Sequence, residues 1–191
     1  MNHSENFFIA ATTAWLERVV IGLNLCPFAK AVHVKRQIRY FVSEASLPVA
    51  LLCDLKRELI LLASADPERI ESTLLIHPDV LNDFAEYNDF LAVCDWAIAE
   101  LELVGIVQIA SFHPQYQFAG TKLKDVTNYS NRSPFPTLHL LREESVTRAV
   151  DTYPDAAVIY KKNIATLKKL GATNLDRLFA SLIVDSTIEH P

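Results

Sequence analysis

Apolar residues recur along this chain with two periods, and the alternation between them predicts the elements. Over residues 5–21, Phe8, Ala11, Trp15 and Val19 share one face at helical spacing, Glu17 lies away from them, and Gly22 ends the helix. The Pro27 step predicts a short helix over 27–31 with Cys26 at its N-cap. Residues 37–43 hold strand-forming Ile38, Tyr40, Phe41 and Val42. A helix is predicted from a Ser46 cap to about residue 63, with Pro48 in its first turn and Leu51, Leu52, Leu55, Leu59 and Leu62 as its buried stripe. Asp66-Pro67 breaks it. Residues 72–77 read as a short apolar strand that stops at His77-Pro78. The clearest helical stripe runs over 79–103, where Val80, Phe84, Tyr87, Leu91, Cys94, Ile98 and Leu101 fall on one side. Strands are expected at 106–112 and 137–142. Two or three helices close the chain, with starts near Ser145, over 154–170 ending at Gly171, and over 175–184 capped by Asn174.

Strands alternating with helices of crossover length predict an α/β, or closely related α+β, sandwich in a single domain over 1–191. Its sheet is three- or four-stranded, mixed, partly parallel and covered by helices. The run at 106–112 is apolar at nearly every position, as in a strand covered on both faces. Ligands of open sheets of this type sit beyond the carboxyl ends of the strands. Both internal His-Pro steps, His77-Pro78 and His113-Pro114, fall at such ends. If the two strands are parallel neighbours, their imidazoles share one rim. Between Pro114 and Pro136 all periodicity is lost. That connection exceeds the about 12–15 residues that a compact domain ordinarily leaves structureless, and it concentrates Gln115, Gln117, Asp125, Asn128, Asn131 and Arg132.

Composition removes several classes of function. Half of the 191 residues are hydrophobic, which argues against global disorder. The net charge of −5, a pI near 5.7 and basic clusters no longer than Lys35-Arg36 or Lys161-Lys162 argue against a nucleic-acid surface. No apolar run reaches the roughly 18 residues of a membrane span, and the first residues lack the basic flank and cleavage pattern of a signal peptide. Three widely spaced cysteines fit reduced thiols and a cytoplasmic location. With four glycines and no CxxC, HExxH, Walker or GxGxxG pattern, a phosphate-cradling loop is not expected.

The candidate chemistry lies in three groups. A thiol at a helix N-terminus feels the positive end of the dipole, so Cys26 is the candidate nucleophile, activated by an imidazole. The competing reading makes it a small buried hydrophobe between Leu25 and Phe28. Cys94, central in an apolar stripe, and Cys53, at a stripe's edge, read as structural. His113 opens the polar loop and is the candidate general acid or base, with His77 orienting or assisting. His77, His113 and His139, joined by Cys26 or Asp125, would be a donor set for a divalent metal. Their scattered spacing lacks the local ligand pairs of such sites, so no metal ligand is assigned and a metal cofactor is not favoured. Arg132 offers a planar fork for carboxylate or phosphate beside the rigid Ser133-Pro134 step. Gln117, Asp125, Asn131, His139 and Arg142 complete the candidate substrate set, with Arg142 and His139 bracing the loop. The competing reading is that the arginines hold the loop down and that Asp125, Asn128 and Asn131 bond their own backbone.

Three segments carry a resemblance over nearly the whole chain. They are Trp15-Leu16-Glu17 leading to Leu23-Asn24-Leu25-Cys26-Pro27-Phe28-Ala29; Gln108-Ile109-Ala110-Ser111-Phe112-His113-Pro114 with Phe118; and Asn131-Arg132-Ser133-Pro134-Phe135-Pro136-Thr137-Leu138-His139-Leu140-Leu141-Arg142-Glu143. These resemble the bacterial domain of unknown function 1415 family. The resemblance implies a cytosolic, single-domain bacterial protein and implies no activity, substrate or cofactor. The expectation from the residues is an enzyme acting on a small polar, anionic molecule through Cys26 and His113. The alternatives are a non-catalytic metabolite- or protein-binding module using residues 113–142, and a metal-dependent enzyme with a His cluster. The expected partner is a small molecule, with neither nucleic acid nor membrane.

Overall fold

The computed structural model describes residues 3–151 and 156–188. Helix α1 (His3–Trp15) passes without a break into a π-helical stretch, Leu16–Ile21, whose amides bond five residues back, as Gly22 N–H does to Glu17 C=O (2.9 Å). Then follow α2 (Ala29–Val34), β1 (Ile38–Val42), α3 (Pro48–Ser64), β2 (Ser72–Ile76), α4 (Phe84–Glu100), β3 (Val107–Phe112) and a 3₁₀ turn at Val126–Ser130. The chain continues with β4 (Thr137–Arg142), α5 (Glu143–Asp151), α6 (Ala156–Leu170) and α7 (Ala172–Ile188). The expected start of the sixth helix at Pro154 lies outside the described residues.

The four strands form one open mixed sheet in the order β1-β2-β4-β3, with β1 and β2 parallel and β4 antiparallel to both β2 and β3. The mixed α/β architecture is therefore the expected one, with one correction. β2 and β3 run in the same direction but are not neighbours, because β4 is inserted between them. β3 is thus an edge strand, and five of its six residues keep solvent contact. The strand covered on both faces is β2, buried at every position.

Residue alternation splits the core in two. Leu75, Leu138, Leu140 and Val107 face α3 and α4, whose stripes include Leu51, Leu55, Leu59, Leu62, Tyr87 and Cys94. Leu74 and Phe112 face the other way, towards Trp15, Val19, Leu25, Leu167, Leu175 and Leu182. Each fully buried Leu contributes about 1.5–3 kcal/mol, which explains why helices without strong end signals hold. α3 begins after Leu47 with no side-chain cap, so Ser46 is not its cap. α4 starts later than its apolar stripe suggests. Asp83 accepts from the amides of Ala85 and Glu86 and fixes the start, leaving 78–82 as a loop in which Leu81 adopts φ +57°. Asn174 lies inside α7, where its side chain donates to Leu170 C=O.

Candidate functional site

The two His-Pro steps meet although their strands are not adjacent. His77 and His113 follow β2 and β3 on the α4 side of the sheet, both fully buried, and both rings pack on Tyr87, at centroid distances of 5.7 and 5.0 Å. Tyr87 ties the rim together, donating to Thr137 C=O (2.9 Å) and accepting from Phe112 N–H (3.1 Å). His77 Nδ1 donates to Val80 C=O (3.0 Å) and His113 Nε2 donates to Leu81 C=O (3.2 Å), so the imidazoles clamp the 78–82 loop. His113 Nδ1 accepts Gln115 N–H (3.0 Å). Both ring nitrogens of His113 are therefore committed, and the base expected there has no free lone pair. His77 Nε2 is buried with no partner. Burial first, and then the nearby His113, push His77 down to about 4. Burial likewise lowers His113.

The polar loop turns its heads inward. Asn128, fully buried, accepts from Phe118 N–H and the Thr121 hydroxyl and donates to Lys122 C=O. Asp125 caps the 3₁₀ turn by accepting from Thr127 N–H and hydroxyl, and those bonds lower its pKa. Gln117 donates to Thr121 C=O (2.6 Å), and Asn131 donates to Ser111 C=O while accepting from Ser130. The Arg132 guanidinium lies over the Tyr129 ring at 4.4 Å and donates to the carbonyls of Leu123 (2.6 Å) and Tyr116 (3.4 Å). Tyr129 in turn bonds Asp176 of α7. The side chains of the substrate-binding set expected at Gln117, Asp125, Asn131 and Arg132 are thus engaged within the protein. These groups close the loop on itself, because a long irregular segment must pair its own buried polar groups.

The remaining candidates separate. Arg142 donates to Leu62, Ala65 and Ile70 carbonyls, so it braces the C-terminus of α3 and not the polar loop. Cys26 precedes α2 but does not cap it. The helix starts at Ala29 with Phe28 as N-cap, and the thiol packs with the Trp15 core. Cys26 and His113 stand on opposite faces of the sheet, so the expected pair does not form. The imidazole on the Cys26 side is His139, which shares a row with Leu74 and Ala110 and lies 6.3 Å from the Phe112 ring. Among the described residues no three His, Cys, Asp or Glu side chains converge as a metal site. The other thiols differ in kind: Cys94 is buried and pushed up to about 12, whereas Cys53 is exposed.

A cleft of about 580 Å³ opens beyond the carboxyl ends of β1 and β2, between α1 and α3. Its chemistry comes from Glu5, Glu44, Asp54, Arg57 and Asp79, with Phe8 and Phe41 as aromatic walls. Asp54 accepts from the Ser43 hydroxyl (2.6 Å) and pairs with Arg57 (2.9 Å), whose guanidinium lies 5.2 Å from the Phe41 ring centroid. Glu5, Glu44 and Asp79 have no ion-pair partner among the described residues. Sequence reasoning missed these residues. The signal that would have found them is that Ser43-Glu44 and Pro78-Asp79 each follow a strand of the parallel pair, where open sheets place ligands.

No helix among the described residues is long and apolar enough to cross a membrane. No curated protein and no solved structure matches this chain. One family model, described as a protein of unknown function (DUF1415), matches residues 8–177, and the chain belongs to that family.

Proposed function

We propose that this protein binds a small organic cation, an amine, amidine or guanidine, in the cleft beyond β1 and β2. The observation that carries this reading is the charge of the lining, where four carboxylates face one guanidinium that Asp54 already engages. The position supports it too, since parallel strands deliver backbone and side chains to a common rim at their carboxyl ends. The anionic ligand expected from Arg132 has no comparable support, because that fork is spent on carbonyls.

Calorimetric titration with benzamidine, benzoate and benzamide tests the reading with one shape and three charges. Benzamidine is expected to bind, more weakly as salt rises. The double substitution Glu44→Gln, Asp79→Asn should weaken it about tenfold, from two exposed pairs at roughly 0.5–1 kcal/mol each. Equal binding of benzoate, or benzamidine binding indifferent to the double substitution, sinks the proposal. A thiol enzyme is the second reading, favoured by the shared sheet face of Cys26 and His139. It requires that Cys26 alkylate readily in the folded protein and that His139→Gln slow the reaction. A thiol that stays inert until unfolding rejects it.

A further inference from the structure

The edge strand β3 turns alternate backbone groups out of the sheet. In an antiparallel pair, every second residue of a strand bonds its neighbour and the residues between point away. His77 N–H donates to Pro136 C=O (3.0 Å), so the residues of β4 in phase with Pro136 serve β2. Thr137, His139 and Leu141 then turn to β3, opposite Phe112, Ala110 and Gln108. Val107, Ile109 and Ser111 therefore present their N–H and C=O groups to the free edge. One donor and one acceptor among these are already spent. Val107 N–H donates to Leu103 C=O (3.1 Å), and Ser111 C=O accepts from Asn131 Nδ2 (3.2 Å). Val107 C=O, both groups of Ile109 and Ser111 N–H have no partner among the described residues. Nothing in the strand guards this edge. Its six residues keep an unbroken register with β4 and include no charged residue and no proline, the usual protections of an edge. The other edge strand, β1, carries Arg39.

We infer that β3 is an interaction surface for a second copy of this chain, the two strands pairing antiparallel about a two-fold axis at Ile109. The pattern of free and spent groups selects both the partner and the register. With Ile109 opposite its own copy, the two residues exchange both bonds. Val107 then stands opposite Ser111 of the partner subunit. Val107 C=O accepts from that N–H, and the same bond recurs across the axis. The spent groups, Val107 N–H and Ser111 C=O, fall opposite each other, so every free donor meets a free acceptor. Centring the pair on Val107 or on Ser111 sets a free group against a spent one at the axis. A strand of unrelated sequence would leave two of its own groups facing the spent ones. Side chains agree with this register, because Gln108 lies beside the partner's Ala110 and no like charges meet. The exposed apolar Val104 and Ile106 lie at the amino end of the shared edge. Six residues a side make a small interface, which places the dimer in the weak, concentration-dependent class. The acidic cleft lies at β1 and β2, at the other end of the strand order, so this inference does not rest on it.

Sedimentation equilibrium of the intact protein from about 1 μM to about 1 mM should show a reversible rise from the chain mass of 21.5 kDa towards twice that value. Amide exchange read residue by residue over the same range locates the contact. The N–H groups of Ile109 and Ser111 should exchange fast in the dilute monomer and slowly as the dimer forms. Those of Gln108 and Ala110, turned to β4, should be slow at both ends of the range. Ser111→Pro removes an outward donor and leaves the carbonyl on Asn131. Proline is tolerated on an edge strand whose N–H faces away from the sheet, so the variant should fold. It should dimerise about tenfold more weakly or worse, since the pair loses a hydrogen bond on each side of the axis. A monomer across the whole range overturns the inference and leaves the edge to a strand of another protein. A dimer whose Ile109 and Ser111 amides stay unprotected, or whose affinity is indifferent to Ser111→Pro in the folded variant, also overturns it, because the copies then meet elsewhere.

Discussion

His77 is the residue at which folding and ionisation meet. Its Nδ1–H is tied to Val80, its Nε2 is sealed, and its pKa falls from 6.5 to about 4. The folded protein therefore refuses a proton that the unfolded chain accepts below about pH 6.5. The contribution of His77 is complete above that pH and is lost as pH falls towards 4, by up to about 3 kcal/mol. His113 and the half-buried His139 act in the same direction. His77→Asn keeps a donor near the Nδ1 position and removes the titration. In urea unfolding at pH 7 and pH 4.5, the variant should lose clearly less stability than the parent; an equal loss would mean that His77 is not the group responsible. That these two histidines stand at the strand ends was legible from the sequence, because a His-Pro step ends a strand and leaves the ring on the rim. Their use was not legible. Whether an imidazole is a base or a clamp depends on which carbonyls lie 3 Å away, and those belong to a loop whose path only the fold decides.

At the scale of elements, two devices replace the caps that the sequence lacks. Arg142 closes the open end of α3 from the neighbouring strand, presenting its fork to Leu62, Ala65 and Ile70. A cation at a helix C-terminus is favourable, and hydrogen bonds from charged donors are the stronger kind. Arg142→Ala should cost about 3 kcal/mol, and Arg142→Lys should recover less than half, since an ammonium lacks the planar fork. Urea midpoints decide this, and a loss below about 1 kcal/mol for the alanine variant would leave the brace without weight. Asn128 plays the same part in the loop, with three bonds from one buried amide. Asn128→Ala should cost about 2–3 kcal/mol and leave benzamidine binding unchanged; loss of binding in a variant that remains folded would return the ligand site to the loop. Strand and helix positions were readable from periodicity, and β4 falls at the expected residues. The loop was readable as unusual but not as inward-facing. Asn, Asp, Gln and Arg are the residues of both binding loops and self-paired loops, and the two differ only in the direction the heads turn.

For the whole molecule, the insertion of β4 between β2 and β3 is what sequence order hid. The return from β3 to β4 passes through the long loop, and nothing local fixes the edge on which a strand re-enters. The insertion gives the sheet two unequal faces. The α3–α4 face is closed by the crossovers that link the strands beneath it, and its residues Leu75, Leu138 and Leu140 are fully buried. The opposite face is closed by helices from the two ends of the chain, α1 against α7 and α6 against the 3₁₀ turn. Both faces hold unmatched polar atoms, Thr73 and His77 on the first and Thr12 and His139 on the second. A face whose cover is drawn from distant sequence, and not from the crossovers between its own strands, has less to hold it. Segments of that kind open below the global unfolding free energy. Native-state hydrogen exchange in increasing urea should then show α6 and α7 opening in a sub-global step, with β2, β4 and the buried side of α3 exchanging only through global unfolding. If α6 and α7 merge with β2 and β4 at every urea concentration, the two faces are equally secured and the distant origin of the second cover carries no cost.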